Sequence, residues 1–133
     1  MNCKKCGNPL SQWRIKRHAL YCSDECKSSD YADKYRKSNP RINRDRNVVG
    51  VVSEHRVIVD LLNKGYEIFK AISPASSCDL AVLHGGKLLR VEVTTAHYSP
   101  TGKMAYSRHK RDNFDLMAIV LHDKIIYIPE LPK

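Results

Sequence analysis

A chain of 133 residues, 42% of them hydrophobic and 28% charged, can bury one ordinary core but not two, and that balance excludes wholesale disorder. No apolar run approaches the roughly 20 residues of a membrane-spanning helix. The opening Met1-Asn2-Cys3-Lys4-Lys5-Cys6 has no apolar secretory stretch, so a reducing cytoplasm is the expected location. The formal charge is +9 and unevenly placed: residues 1–47 hold 12 Lys and Arg against 5 Asp and Glu, whereas residues 48–133 hold 11 against 9. An excess of that kind favours a polyanionic partner, nucleic acid first, over a purely solubilising role.

Four of the five cysteines lie in the first 26 residues, as Cys3-x2-Cys6 and Cys22-x3-Cys26. In a reducing compartment such pairs read as zinc ligands rather than disulfides. A two- or three-residue spacer lets one tight turn aim two thiolates at one ion, and Gly7 supplies the conformational freedom that turn needs. The second pair opens a helix, with Ser23 as N-cap and Cys26 three residues on. Four protein ligands leave no open position, so the predicted site is structural and can fold a segment with almost no core. His18 is too far from Cys22 for a standard ligand pair and is expected on the surface. The string CxxCGNPL…YCSDEC resembles treble-clef or zinc-ribbon knuckles over about residues 1–37.

Residues 29–37 continue as a polar helix, which Ser38-Asn39-Pro40 ends because proline disfavours helix in the residue before it. Residues 38–47 then read as a basic linker, with Arg41, Arg44 and Arg46 as candidate phosphate contacts or simply a solvated tether. From Val48 the pattern changes. Val48, Val49, Val51, Val52, Val57, Ile58, Leu61 and Leu62 recur at helical spacing, and Lys64-Gly65 is a stop. Residues 66–72, 78–83 and 87–96 read as strands, the last two joined by a His84-Gly85-Gly86 hairpin. Residues 98–112 are polar and basic, a short helix or loop. Residues 116–121 and 124–128 read as closing strands.

Two acids stand out on these apolar strands. Asp79 opens the second strand, and Glu92 lies inside the third between Val91 and Val93. An acid in such a place must be paired, hydrated or metal-bound. The hairpin brings both to one end of the sheet, where two carboxylates suit a hard cation such as Mg²⁺. Blander readings are a turn cap for Asp79 and a pair with Arg90 for Glu92.

The run SEHRVIVDLLNKGYEIFKAISPASSCDLAVL…GGKLLRVEVTTA…DNFDLMAIVLHDKIIYIP resembles PD-(D/E)XK endonucleases over about residues 50–130. It is nearest their group-I-intron-associated and Holliday-junction-resolvase-like branch. The resemblance implies an α/β, restriction-endonuclease-like mixed central sheet flanked by helices, here preceded by the small zinc-binding module. The organisation it suggests is a zinc module over 1–37, a linker over 38–47 and a nuclease-like domain over 48–133. It also implies a site built from an acid on the first helix, an Asp on the second strand and Glu-x-Lys on the third. Glu54, Asp79 and Glu92 match the acids, and Mg²⁺ or Mn²⁺ would be the catalytic metal. Thr94 stands where that family has its lysine. Lys70, Lys103 or Lys110 could replace it, or the domain binds DNA without cutting it. A docking role for the zinc module toward another protein is a third reading, against which the charge of residues 1–47 argues. Arg108, Lys110 and Arg111 are further candidate phosphate contacts. Tyr98 and Tyr106 could stack on bases or cover the sheet. A homodimer is the expected oligomer for cutting two strands, no membrane is involved, and a small zinc-plus-nuclease chain suits a phage or mobile element, acting in the cytoplasm or at the nucleoid.

Overall fold

A computed structural model describes residues 1–40, 45–107 and 113–133. The chain folds as two compact units: Met1–Pro40 with Tyr98–Lys103, and Arg41–His97 with Met104–Lys133.

The first unit begins with a knuckle. An isolated bridge pairs Asn2 with Pro9, the N–H of Gly7 donates to the carbonyl of Cys3 at 2.9 Å, and Gly7 has φ +76°. That conformation is costly for any residue with a Cβ, which is why glycine follows Cys6. Two helices follow, α1 (Gln12–Lys16) and α2 (Asp24–Ser38). Ser11 caps the first and Ser23 the second, where the Ser23 hydroxyl accepts the N–H of Cys26 at 3.2 Å. The Ser23 cap is as the sequence implied, but α1 was not anticipated: five residues are too few for a periodicity to register. The core of this unit is small: Cys3, Leu10 and Tyr21, with Ile15, Cys22 and Cys26 packed against them. Ion pairs reinforce it, Lys5 with Asp33 and Lys34 with Asp30, and the Tyr21 hydroxyl donates to Asp30 at 2.6 Å. The turn over 98–103 belongs here too. Asn39, buried, receives the N–H of Tyr98 at 2.7 Å and donates to the Tyr98 carbonyl at 2.8 Å.

Among the described residues the second unit is a five-stranded mixed sheet with the helix α3 (Arg46–Asn63) packed on it. The strands are β1 (Glu67–Lys70), β2 (Leu80–His84), β3 (Lys87–Thr95), β6 (Leu116–Val120) and β7 (Ile125–Ile128), in the order β1-β2-β3-β6-β7. The short β4 (His97–Tyr98) and β5 (Met104–Ala105) pair separately as a ribbon, inside the stretch read from sequence as a short helix or loop. Within the five-stranded sheet only β3 and β6 run parallel. The β2–β3 hairpin turns on Gly85 and Gly86, both at positive φ, as a two-residue connection between right-twisted strands requires. Gly65 at φ +85° ends α3 as its sequence suggested.

One layer of apolar side chains lies between α3 and the sheet, and Met117 and Ile119 of β6 are buried on the sheet's other face. Val57 and Leu61 meet Leu80, Val82, Val91, Leu116, Ala118 and Val120. Each such side chain contributes about 1.5–3 kcal/mol by leaving water. Every residue of β6 is buried, which matches its unbroken Leu-Met-Ala-Ile-Val run. Ser53 is the one buried polar residue of α3, and its hydroxyl meets that of Thr95 at 2.7 Å. Two expectations need correction. The helix starts at Arg46, capped by Asp45, so Arg46 and Asn47 are not linker. The apolar stripe read along it is also too wide: only Ser53, Val57 and Leu61 are buried, while Val48, Val51, Val52 and Leu62 are 41–54% exposed.

Candidate active site and zinc centre

The four cysteine sulfurs of the first unit lie within 4.8 Å of one another. The Sγ atoms of Cys6 and Cys22, and of Cys22 and Cys26, are 3.6 Å apart. A zinc ion with Zn–S bonds of about 2.3 Å in a tetrahedron sets sulfurs roughly 3.8 Å apart, so the set fits it. The chemistry agrees with the spacing. The backbone N–H of Cys6 is the largest influence on the Cys3 thiol and, against burial, holds its pKa down at about 6. The thiols of Cys26, Cys6 and Cys3 push Cys22 up to about 12. Four sulfurs this close cannot all ionise without a cation between them, and a dication bound by all four resolves the conflict. His18 stays out, exposed and at φ +53°.

The acids of the second unit gather at the end of the sheet where β1 finishes and β2 starts. The register sets Leu80 opposite Val91, and one residue further Asp79 falls opposite Glu92. There the ladder gives way to a side-chain bond: the N–H of Val93 donates to Asp79 Oδ2 at 2.9 Å. Both acids are half-buried, on the face of the sheet turned away from α3. That bond runs across the hairpin and not within a turn, so it is not the turn cap considered for Asp79, and it leaves Oδ1 over. Arg90 finds a partner other than the one considered for it. Its Nε and Nη2 donate to the two oxygens of Asp115, at 3.2 and 3.3 Å.

Glu54 comes from α3, and its Oε2 lies 3.5 Å from Nζ of Lys70 on β1. Lys70 pairs with Leu80 across the β1–β2 ladder, and the N–H of Ala71 donates to the Asp79 carbonyl at 3.1 Å. Lys70 therefore belongs to the same end of the sheet as Asp79 but, paired with Leu80 and Glu54, to its α3 face. Glu54, Asp79 and Glu92 do not form a three-ligand set; among the described residues only the four cysteines do. Two carboxylates still suit Mg²⁺, which keeps most of its waters and takes few protein ligands. Thr94 is 6% exposed, on β3 opposite Ile119, and its hydroxyl carries no charge. Lys103 belongs to the other unit. Arg41, Arg44, Arg108, Lys110 and Arg111 lie outside the described residues, and Arg46 is exposed in the first turn of α3.

Sequence reasoning missed Asn39, read only as part of a helix stop, and Asp115. Neither position departs from ordinary loop composition, so only the fold reveals them. Among the described residues no helix is long and apolar enough to cross a membrane. No family model and no curated protein sequence matches the chain. Among solved structures it is similar to a bacterial homing endonuclease, I-Ssp6803I, with a TM-score of 0.52 and 20% sequence identity. The match covers 60% of this chain and 64% of that one. At that identity the likeness is one of fold: a mixed α/β sheet shared with a nuclease, beside a four-cysteine cluster that could hold zinc.

Proposed function

We propose that the chain is a divalent-metal-dependent DNA endonuclease of the PD-(D/E)XK kind. The observation that carries this reading is the clamp at the head of the β2–β3 hairpin, where the amide of Val93, the residue after Glu92, holds the Asp79 carboxylate. The homing-endonuclease fold likeness gives that clamp its chemical meaning. Asp79 and Glu92 are the residues to hold Mg²⁺ or Mn²⁺. When bound, such an ion lowers the pKa of water and offsets charge building on the phosphate. The overall reaction joins a water oxygen to phosphorus and breaks the opposite P–O bond, the departing oxygen taking up a proton. Lys70, paired with Glu54 on the α3 face of the sheet, is the residue to reach round this end of it and replace the lysine that Thr94 displaces.

The basic residues Arg41, Arg44, Arg46, Arg108, Lys110 and Arg111 are proposed phosphate contacts. Arg46 supports this, because a cation in the first turn of a helix opposes the helix dipole and does nothing for α3 itself. We also place a second copy on the exposed face of α3. Val48, Val51 and Val52 lie one to two turns before His55, and Val59 and Leu62 one to two turns after it. An antiparallel copy related by a two-fold axis would set each half on the other's counterpart. A helix of 18 residues is about 27 Å long and about 10 Å wide, so one face offers roughly 300 Å² against the roughly 800 Å² per partner of a standard interface, and the dimer would be weak.

The test is cleavage of supercoiled, linear and branched DNA by the zinc-loaded protein with Mg²⁺, Mn²⁺ or neither, beside Asp79→Asn. Cutting that needs both the metal and Asp79 supports the enzyme; normal cutting by Asp79→Asn rejects the assignment. One observation favours a second reading, a DNA-binding module without catalysis: Thr94 is buried where a lysine would act. Salt-sensitive binding, indifferent to Mg²⁺ and without cleavage of any substrate, would decide for that module.

A further inference from the structure

We infer that the surface around Trp13 on α1 is a stacking platform for an unpaired nucleic-acid base. The inference rests on the DNA reading above and adds to it a base-contacting surface remote in sequence from the acids. Helix α1 needs one side chain for its own packing. Ile15 packs on the core of Cys3, Leu10 and Tyr21, and no residue of α1 is fully buried. Trp13, two positions earlier and so on the far side of the helix, is 55% exposed. An indole gains more from burial than almost any other side chain, so its place in water is not explained by stability.

Its neighbours explain it. The guanidinium carbon of Arg17 lies 4.2 Å from the centroid of the Trp13 ring, and that of Arg14 lies 5.4 Å away. Cations at these distances hold the indole by its π face. Arg14 also lines a recess of about 250 Å³ with Leu20, Lys27 and Tyr31, and Leu20 and Tyr31 are themselves exposed. Arg14 pairs with Asp24 at 3.5 Å, but Arg17 and Lys27 have no acidic partner among the described residues. An apolar protein partner would gain nothing from those unmatched cations. A polyanion with flat rings uses both features: bases stack on the aromatic groups while phosphates meet the cations. Charge complementarity thus selects nucleic acid with an unpaired base.

Trp13 is the chain's single tryptophan, so it reports its own occupancy. The zinc-loaded full chain, carrying Asp79→Asn to prevent cutting, is titrated with a single-stranded oligonucleotide of about 16 nucleotides, the upper site size for such surfaces. A parallel titration uses heparin, a polyanion without bases. The expected result is saturable quenching by the oligonucleotide and none by heparin. Trp13→Ala should weaken oligonucleotide binding by roughly 5- to 150-fold, measured by anisotropy of a labelled strand, with zinc content unchanged. Trp13→Phe should keep most of the affinity. Equal quenching by heparin, or unchanged affinity in Trp13→Ala, overturns the inference. So does tryptophan emission that depends on protein concentration without DNA, since a second copy would then occupy the patch. Absence of any DNA binding would instead fail the nuclease reading beneath it.

Discussion

Asp79 commits one carboxylate oxygen to the Val93 amide, and this sets what the rest of the site must supply. Two acids can hold a metal, but neither brings positive charge to a phosphate, and Thr94 does not either. Lys70 lies at this end of the sheet on the α3 face, with Glu54, and in the proposed site it reaches round the sheet's end to the acids. Lys70→Met should therefore lower kcat about 100- to 1000-fold, the usual effect of losing one preorganised electrostatic group, with DNA affinity nearly unchanged. Single-turnover cleavage and a binding isotherm separate the two, and undiminished cleavage would remove Lys70 from the site. A second residue-scale prediction concerns Asp60. Burial works against its carboxylate, yet hydrogen bonds from Lys64 and Tyr127 outweigh it and hold the pKa below the ordinary 3.8. Burial first, then Asp60, raises the pKa of Tyr127. Tyr127→Phe removes a hydrogen bond to a charged group and should cost about 1.5–3 kcal/mol at neutral pH. Because the folded pKa of Asp60 is depressed, that stability is present above pH 3.8 and is lost as pH falls through the folded value. Urea midpoints of the variant and parent should therefore converge in strong acid; a constant gap would mean the hydroxyl acts through packing alone.

Helix α3 shows at the scale of elements what the sequence could and could not tell. Its existence and its stop at Gly65 follow from spacing, because valine and leucine recur every third or fourth residue. Its buried face does not follow, because apolar residues occupy more than one side and only contact with the sheet selects Ser53, Val57 and Leu61. The hairpin at Gly85-Gly86 was legible for a local reason, the positive φ of both glycines. The β4–β5 ribbon was not, since Ser99-Pro100-Thr101-Gly102 interrupts any alternation and each strand is two residues long. Asp79 and Glu92 stood out as acids on apolar strands, whereas the Glu54–Lys70 pair depends on a helix and a strand meeting, which no local pattern encodes. Two substitutions separate the two faces of α3. Leu61→Ala, at a fully buried position, should cost about 2–5 kcal/mol in denaturant unfolding. Val59→Asp, on the exposed face, should leave the urea midpoint nearly unchanged and abolish the proposed weak dimer in sedimentation equilibrium. A parent protein that stays monomeric at high concentration would dismiss that dimer.

At the scale of the whole molecule the two units owe their stability to different sources. The second has a contiguous core of eight buried apolar residues. The first has three, too few to offset the ordering of about 40 residues at roughly 1–2 kcal/mol each. A four-sulfur zinc site supplies what that core lacks, since binding energy at such a site is folding energy. Removing zinc with a chelator should therefore unfold residues 1–40 and leave the sheet intact, as read by amide hydrogen exchange. Two nearby amides make the prediction sharp. The N–H of Ala96 donates to the Val120 carbonyl at 2.9 Å, inside the sheet, and should stay protected. The N–H of Tyr98 donates to the side chain of Asn39 at 2.7 Å, inside the first unit, and should exchange as freely as α2. If both amides remain protected after chelation, the first unit is stable without its metal. The cysteines would then be a packed cluster and not the source of its fold.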